Sequence, residues 1–297
     1  MNTNLSNYTQ TFTQYRPLLF SIAYKMLGSV MEAEDIVQDA FLRWRESVGE
    51  EIRSPKSYLA TIVTRLSIDR LRSAQLQRES YIGPWLPEPL ITEKGQSTAE
   101  IVSKAEHVSM AFLVLLENLS PIERAVFLLR EVFDYDYADI ARIVDKSEAN
   151  CRQIARRARQ RVDTGQSRFQ APPEKQQAMV QQFIAACATG DLPGLIHLLS
   201  DDIGLYSDGG GKVTAARKPV LGSQKVATFL LNITRQAPPD VSIRPTWING
   251  RFGLIVYFGR TPQSVYSFDL DGEQIKKIYV VVNPDKLKNV PLLPENK

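Results

Sequence analysis

The sequence has few of the residues on which enzymes and metal proteins usually depend. Only two histidines and two cysteines occur in 297 residues. Cys151 and Cys187 lie in different predicted elements and lack the spacing of zinc ligands, which argues against a disulfide framework and a metal site. His107 and His197 each lie in an apolar predicted helix. With no glycine-rich nucleotide loop and no nucleophile beside an obvious base, we predict neither catalytic residues nor a cofactor.

Long apolar runs are missing as well. No stretch of about 18 apolar residues occurs, so no membrane-spanning helix is expected. The first ten residues, MNTNLSNYTQ, lack the basic and apolar regions of a signal peptide. We therefore expect a cytoplasmic protein without a membrane partner.

Charge is distributed unevenly along the chain, although the net charge is only +3. Residues 53–78 and 142–168 are rich in lysine and arginine. Residues 28–39 contain no basic side chain, and their acidic side chains are Glu32, Glu34, Asp35 and Asp39. Two basic stretches and one acidic stretch indicate two contacts with nucleic acid and one with protein. Solvated helix faces are the alternative interpretation of each stretch.

Helix signals continue through the first 165 residues. Ser29 and Ser120 each begin a capping box, with glutamate three residues later. Ser54-Pro55 begins a helix that extends to about residue 78, because proline at the first helical position loses no hydrogen bond. A further apolar helix is predicted at about 99–118. We therefore expect two all-α helical domains, at 1–80 and 99–168.

A helix-turn-helix is predicted in the second helical domain. A short helix from Tyr137 to Val144 is followed by a tight turn and by a helix from Glu148 to about Val162. The residues of the second helix that suit base recognition are Asn150, Arg152, Gln153, Arg156 and Arg157. Asparagine, glutamine and arginine make bidentate contacts to base edges in the major groove. A basic surface helix is the alternative.

The helix at 55–78 supplies the second nucleic-acid signal. Arg65, Arg70 and Arg72 are spaced along it and suit a nucleic-acid backbone. Tyr58 on this helix and Trp44 on the preceding one are candidates for stacking on unpaired bases. Helical spacing also places both aromatics beside apolar neighbours, so a core position is the favoured interpretation.

The remaining sequence predicts a linker and an α+β domain. Residues 81–98 contain three prolines and two glycines, which exclude a long regular element. After Pro172-Pro173, helices are followed by strands at about 243–248, 252–258, 264–270 and 274–282. Asn-Gly and Asp-Gly turns between them indicate an antiparallel meander. Residues 171–297 are therefore predicted to form the α+β domain.

Three segments together resemble regions 2 and 4 of the extracytoplasmic-function (ECF) sigma factors of the sigma-70 family. They are GSVMEAEDIVQDAFLRW, SPKSYLATIVTRLSIDRLRS and LSPIERAVFLLREVFDYDYADIARIVDKSEANCRQIARRARQRV. The resemblance implies that the acidic helix, Glu32 to Trp44, binds the clamp coiled coil of the RNA polymerase β′ subunit. It implies that loop 47–56 and the next helix capture and melt the minus-10 promoter element, and that the helix from Glu148 reads the minus-35 element. Arg65 stands where many relatives have asparagine, so contacts of that turn are not carried over.

Three short motifs resemble those of the sigma-factor group that has a SnoaL-like C-terminal extension. They are WLPEP (Trp85, Leu86, Pro87, Glu88, Pro89), DGGGK (Asp208, Gly209, Gly210, Gly211, Lys212) and NPDKL (Asn283, Pro284, Asp285, Lys286, Leu287). In that group the extension takes the place of a separate anti-sigma protein and is thought to act through the linker. The alternative interpretations are a stiff spacer for WLPEP, a flexible glycine turn for DGGGK and a C-terminal turn for NPDKL.

Other functions stay open at this point. A helix-turn-helix regulator that binds duplex DNA without polymerase needs neither the acidic helix nor the helix at 55–78. A SnoaL-like enzyme with a helical appendage would require a catalytic set, for which Asp208 with Tyr206 or His197 is the only candidate. An unknown small-molecule effector in a pocket of the C-terminal domain is a further candidate partner.

Overall fold

A computed structural model describes residues 2–47, 52–78, 80–92, 109–163 and 171–295. Its contacts divide the chain into two compact units. The helical unit comprises Met1–Glu79, Glu100–His107 and Leu115–Gly165, and the α+β unit comprises Ser80–Ala99, Val108–Val114 and Gln166–Lys297. No helix in the described ranges is long and apolar enough to cross a bilayer.

The first part of the chain is helical, as predicted. Its elements are α1 Asn2–Leu27, α2 Val30–Glu46, α3 Pro55–Arg78, α4 Met110–Leu116, α5 Pro121–Phe127, a π-helical segment Leu128–Val132, α6 Tyr137–Val144 and α7 Glu148–Asp163. The predicted helix at 99–118 is seen only as α4, and residues 99–108 lie outside the described residues. The predicted helix after Ser120 changes to π-helical geometry at Leu128.

Side-chain caps explain where several of these helices begin and end. The Ser29 hydroxyl accepts a hydrogen bond from the Glu32 amide, and Ser120 and Glu123 form a reciprocal capping box. Asp136 caps the start of α6, which ends at Asp145 in the left-handed conformation with φ 53°. The helix-turn-helix is therefore delimited by local sequence signals.

Trp44 belongs to the core of the helical unit. Only 3% of it is exposed, and its indole N–H donates to the Tyr8 carbonyl at 2.9 Å. The half-buried Tyr58 ring lies 5.9 Å from the indole ring. The favoured interpretation of Trp44 as a core residue is correct.

The α+β unit consists of one mixed sheet and helices. Its helices are α8 Pro173–Thr189, α9 Leu192–Leu198 and α10 Ser223–Arg235. Its strands are β1 Ile91–Thr92, β2 Leu199–Asp208, β3 Val220–Leu221, β4 Val241–Ile248, β5 Arg251–Phe258, β6 Thr261–Asp271 and β7 Gln274–Val281. The strand order is β1-β4-β5-β6-β7-β2-β3. The α+β class is confirmed.

The expected antiparallel meander is correct for β4 to β7 but incomplete. Strand β2 was not predicted, and it pairs in parallel with β7, where Tyr206 lies opposite Tyr279. Its sequence, LSDDIGLYSD, is rich in aspartate, serine and glycine, which strands disfavour. The pairing is irregular between Leu199 and Gly204. Burial of its second half, and not local propensity, accounts for the strand.

The two faces of the sheet have different coverings. Helices α8, α9 and α10 pack on one face around Phe183, Leu230 and Phe268. On the other face, Tyr257 and Tyr279 are covered by apolar side chains from outside the sheet, which are Leu86 of the linker, Met110 of α4, and Leu287 and Val290 near the C-terminus. Asp208 lies at the end of β2, beside this second face.

Candidate nucleic-acid interface and linker-docking site

Helix α7 presents a polar face on the outside of the helical unit. Its exposed residues include every predicted base-contacting position, namely Asn150, Arg152, Gln153, Arg156 and Arg157. The opposite face holds Cys151, Ile154 and Ala158 in the core of the helical unit. The spacing of buried residues therefore fixes which side of α7 faces outward. The Ser147 hydroxyl caps the helix by accepting from the Asn150 amide at 3.3 Å.

The arginines of α7 differ in their surroundings. Arg152 forms an ion pair with Glu148 at 2.8 Å, and its guanidinium lies 5.1 Å from the Tyr137 ring centre. Towards the C-terminal end, Arg159 is paired with Glu131 and Arg161 with Glu123. Burial alone would raise the pKa of Glu123, but hydrogen bonds from Ser120 and Arg161 outweigh it and hold that pKa below its usual value. Arg159 and Arg161 are therefore held by ion pairs at the C-terminal end of α7.

The three arginines of α3 do not share one free surface. The Arg65 guanidinium bonds to backbone carbonyls of α6, with Nε 3.0 Å from the Ile143 oxygen and Nη2 2.8 Å from the Arg142 oxygen. Arg70 lies 3.8 Å from Glu32 of α2. Arg72 is exposed and pairs with Asp69 one turn away.

The acidic stretch is displayed along α2. Asp35 and Asp39 are exposed, and Glu34 pairs with Arg16 of α1. Glu32 lies in the first turn, where a carboxylate complements the helix dipole. Residues 48–51 of the predicted loop 47–56 lie outside the described residues.

The linker is held on the α+β unit by the carboxylate of Asp208. This group is fully buried and accepts four hydrogen bonds. The donors are the Tyr81 hydroxyl at 2.6 Å, the Leu86 amide at 2.8 Å, the Gly210 amide at 3.0 Å and the Lys286 ammonium at 2.7 Å. WLPEP, DGGGK and NPDKL each contribute a group to this centre. The three motifs that were noticed separately in the sequence thus converge on one carboxylate.

Lys286 and Tyr81 complete the centre. The Lys286 ammonium also lies 4.0 Å from the Trp85 ring centre, in a cation–π contact. Asn283 donates from its amide to the Tyr81 oxygen at 3.0 Å. Burial raises the pKa of Tyr81, and its hydrogen bond to Asp208 raises that pKa further. Tyr81 therefore stays protonated and continues to donate to the carboxylate.

Two glycines of DGGGK are required by geometry. Gly210 and Gly211 have φ of +61° and +70°, a region that suits glycine. A side chain on Gly210 would place its Cβ 2.2 Å from the Asn283 amide nitrogen. Close approach of this turn to the NPDKL segment therefore needs glycine. Lys212, at the end of the motif, pairs with Asp285.

The rest of the linker continues along the sheet. Glu88 is buried and accepts from the Asn289 amide at 2.8 Å. The Leu90 backbone forms two hydrogen bonds with Asn249, through its carbonyl at 2.9 Å and its amide at 3.2 Å. Ile91 and Thr92 then pair with β4 as the strand β1.

Sequence reasoning missed several residues of this site. Tyr81 and Asn289 lie just outside the recognised motifs, and no local pattern distinguishes them. Asn249 was interpreted only as a turn residue, and its positive φ of 51° supports that role too. In the helical unit, the buried Arg124 was missed as well, although it follows directly on the capping box of α5. An arginine inside an apolar helix was the available signal.

Of the suggested acid–base set, His197 is not brought to Asp208, whereas Tyr206 and Asp208 lie two residues apart on the same face of β2. Tyr206 is stacked on Tyr279 at 5.6 Å, on the linker-covered face, and Asp208 is engaged by the linker. His197 is exposed on α9, a helix that packs on the opposite face. His107 lies outside the described residues. Within the described residues, no group of three or more histidine, cysteine, aspartate or glutamate side chains is placed to hold a metal ion.

Comparison with known proteins identifies the two helical regions and the whole architecture. The Sigma-70 region 2 family matches residues 11–77, and the Sigma-70, region 4 family matches residues 109–162. The chain is 35% identical to the ECF RNA polymerase sigma factor SigJ of Mycobacterium tuberculosis, over 95% of this chain and 93% of that protein. It is 28% identical to the probable ECF sigma factor SigI of the same species, over 92% of each chain.

A solved structure agrees with these similarities. The crystal structure of M. tuberculosis SigJ superposes with a TM-score of 0.80 and 32% sequence identity, covering 96% of this chain and all of that one. The match spans the helical regions and the α+β domain alike. The protein therefore belongs to the extracytoplasmic-function RNA polymerase sigma factors.

Proposed function

We propose that this sigma factor recruits core RNA polymerase, opens promoter DNA through its two helical domains, and is regulated by its own α+β unit through the linker. The observation that carries the regulatory part is the buried carboxylate of Asp208, on which all three motifs converge. The division into helical domains 1–80 and 99–168, linker 81–98 and regulatory domain 171–297 is part of this proposal.

Promoter recognition is assigned to α7 and α3. On α7, the exposed set of Asn150, Arg152, Gln153 and Arg156 would read base edges of the minus-35 element, with Arg157 contacting phosphate. On α3, the exposed Arg72 would contact the minus-10 region, and Arg65 and Arg70 would follow after leaving their present partners.

Polymerase binding is assigned to α2. Asp35 and Asp39 are exposed on its surface, and Glu32 and Glu34 extend the negative charge along the same helix. A basic partner surface would be attracted over several ångströms and held in register by these charges. We assign this helix to the β′ clamp coiled coil.

Regulation is assigned to the docking of the linker. Asp208 and Lys286 form an ion pair in which 0% and 13% of the two side chains are exposed. Removing one partner of such a pair strongly destabilises the structure around it, because the other charge stays buried. The linker connects the two promoter-binding domains, so its release changes the freedom with which they reach two separated DNA elements.

We further propose that the α+β unit regulates and does not catalyse. In the docked state the Asp208 carboxylate is occupied by four hydrogen bonds from the protein itself, and His197 is on the other side of the sheet. A small-molecule effector stays a prediction. The space between the sheet and the helices, where it would bind, is packed with Phe183, Tyr266 and Phe268.

The decisive experiment is multi-round transcription in vitro with core polymerase on promoters selected from a random library. The full chain is compared with Asp208→Asn and with Asp202→Asn, an exposed aspartate on the same strand. We expect promoter-specific transcripts from all three, with an altered yield for Asp208→Asn alone. Equal yields would contradict regulation by the linker. Sequence-specific duplex binding without any transcript would instead favour a helix-turn-helix regulator that works without polymerase.

A further inference from the structure

Two arginines connect the helices of region 2 with those of region 4 inside the helical unit. Arg65 of α3 places its guanidinium on the carbonyls of Arg142 and Ile143. These carbonyls lie in the last turn of α6, where backbone oxygens lack partners within the helix and carry partial negative charge. The planar fork of the guanidinium meets two of them at once.

Arg124 makes the reverse connection. It lies on α5, in region 4, and only 2% of it is exposed. Its Nη1 donates at 2.7 Å to the carbonyl of Met26, in the last turn of α1. Its Nε and Nη2 donate to the Leu116 carbonyl, at 3.0 and 2.7 Å. Each half of the helical unit thus supplies an arginine to a helix C-terminus of the other half.

Helices α3 and α6 cannot keep this contact while the protein engages a promoter. The minus-10 and minus-35 elements are named for positions that differ by about 25 base pairs. At about 3.4 Å per base pair, this separation is roughly 85 Å of duplex. Hydrogen bonds of 2.8 and 3.0 Å hold α3 against the helix that precedes the reading helix α7. The packed helical unit is therefore a closed state that differs from the DNA-bound one.

We propose that Arg65 is the releasable latch of this closed state. Its side chain is exposed, so water and phosphate oxygens can compete for the guanidinium, whereas the buried Arg124 is shielded from them. Opening exchanges the two carbonyls of α6 for other acceptors and frees Arg65 on the surface of α3. The inference rests on the proposed function for its biological meaning, but the closed state itself is a property of the free protein.

The test measures opening without DNA or polymerase. Donor and acceptor dyes are attached at Gln38→Cys on α2 and Gln160→Cys on α7, which are both exposed, while the two native thiols are buried. Single-molecule energy transfer then gives the ratio of closed to open molecules. For Arg65→Ala we expect this ratio to fall about tenfold, as loss of charge-assisted hydrogen bonds implies.

Two further variants make the test specific. Arg65→Lys keeps the charge but not the fork and should give an intermediate ratio. Arg72→Ala, on the same helix but paired only with Asp69 among the described residues, should match the parent. An unchanged ratio for Arg65→Ala, with helix content retained by circular dichroism, overturns the latch whatever transcription shows. A changed ratio in a protein that never yields transcripts would overturn the proposed function and leave the latch standing.

Discussion

Arg152 and Arg156 are the side chains of α7 best suited to read bases directly. Both are exposed one turn apart on the same face. Arg152 must first leave Glu148, a surface ion pair that contributes less than about 1 kcal/mol. Replacing either with alanine should relax sequence preference at one or two promoter positions and cost about 1–3 kcal/mol on the preferred sequence.

Competition binding to a library of minus-35 variants measures this effect. Arg157→Ala serves as the comparison, because a phosphate contact should weaken all sequences alike and reduce the salt dependence. Uniform weakening by Arg156→Ala would show that it contacts only the backbone.

Lys25 is an ionisable side chain buried in the core of the helical unit. It is 1% exposed, donates to the Ser21 hydroxyl at 2.7 Å and lies 5.0 Å from the Phe133 ring centre. Burial lowers its pKa from 10.5 to about 8. Between these values the unfolded chain binds a proton that the folded chain has released, so stability should rise with pH from about 8 to 10.5.

Lys25→Met should remove that pH dependence. At pH 7 the variant should also be more stable, by an amount on the order of 3 kcal/mol, because it removes the cost of keeping a charge buried. Urea unfolding at several pH values between 7 and 10 checks both points, with Lys175→Met, an exposed lysine of α8, as the control. A parent protein whose stability does not change over this range would contradict the lowered pKa.

At the scale of elements, α2 is a helix with one buried and one acidic side. Ile36, Val37 and Ala40 fix its orientation in the core, which leaves Asp35 and Asp39 exposed. Reversing both charges to lysine should weaken binding to core polymerase by about tenfold or more at low salt, and by less at high salt because exposed charges are screened.

Affinity for core polymerase, measured at two ionic strengths, tests the role of α2. The double change Glu174→Lys with Glu273→Lys, at two other exposed carboxylates, alters the net charge equally and is the control. A loss that does not depend on salt would point to misfolding of α2 and not to an electrostatic contact.

Elements with local signals were predictable, and those fixed by distant contacts were not. Serine caps and an amphipathic pattern placed α2, α3 and α7 within a few residues of their observed bounds. Strand β2 escaped because its first half is polar and its partner β7 lies about 70 residues away in the sequence, since parallel pairing leaves no local mark.

The candidate site divides in the same way. The motifs around Asp208 were recognised as three separate segments, but their convergence depends on that unpredicted strand. The exposed face of α7 followed from helical periodicity alone. The attachment of Arg65 to α6 could not be anticipated, because a backbone carbonyl has no side-chain signature.

At the scale of the whole molecule, the linker is structurally part of the α+β unit. Trp85 contributes a cation–π contact and apolar area to its docking. Trp85→Ala should therefore lower the melting temperature of the α+β unit, increase proteolysis within residues 81–92 and alter promoter output, while the helical unit stays folded.

Limited proteolysis with mass spectrometry and thermal unfolding test this expectation. Leu292→Ala removes an exposed apolar side chain of the same unit and should leave cleavage unchanged. If Trp85→Ala behaves like that control, WLPEP is a spacer and the docking energy lies elsewhere.

The two-residue strands β1 and β3 close the two edges of the sheet. An uncovered edge strand has unpaired backbone groups that can pair with a strand of another chain, which is a common cause of aggregation. Strand β1 belongs to the linker, so undocking uncovers the end of β4 at Trp247 and Ile248. Activation by linker release would therefore expose a strand edge that favours aggregation. Rapid binding of the open state to polymerase would shorten the time for which that edge is exposed.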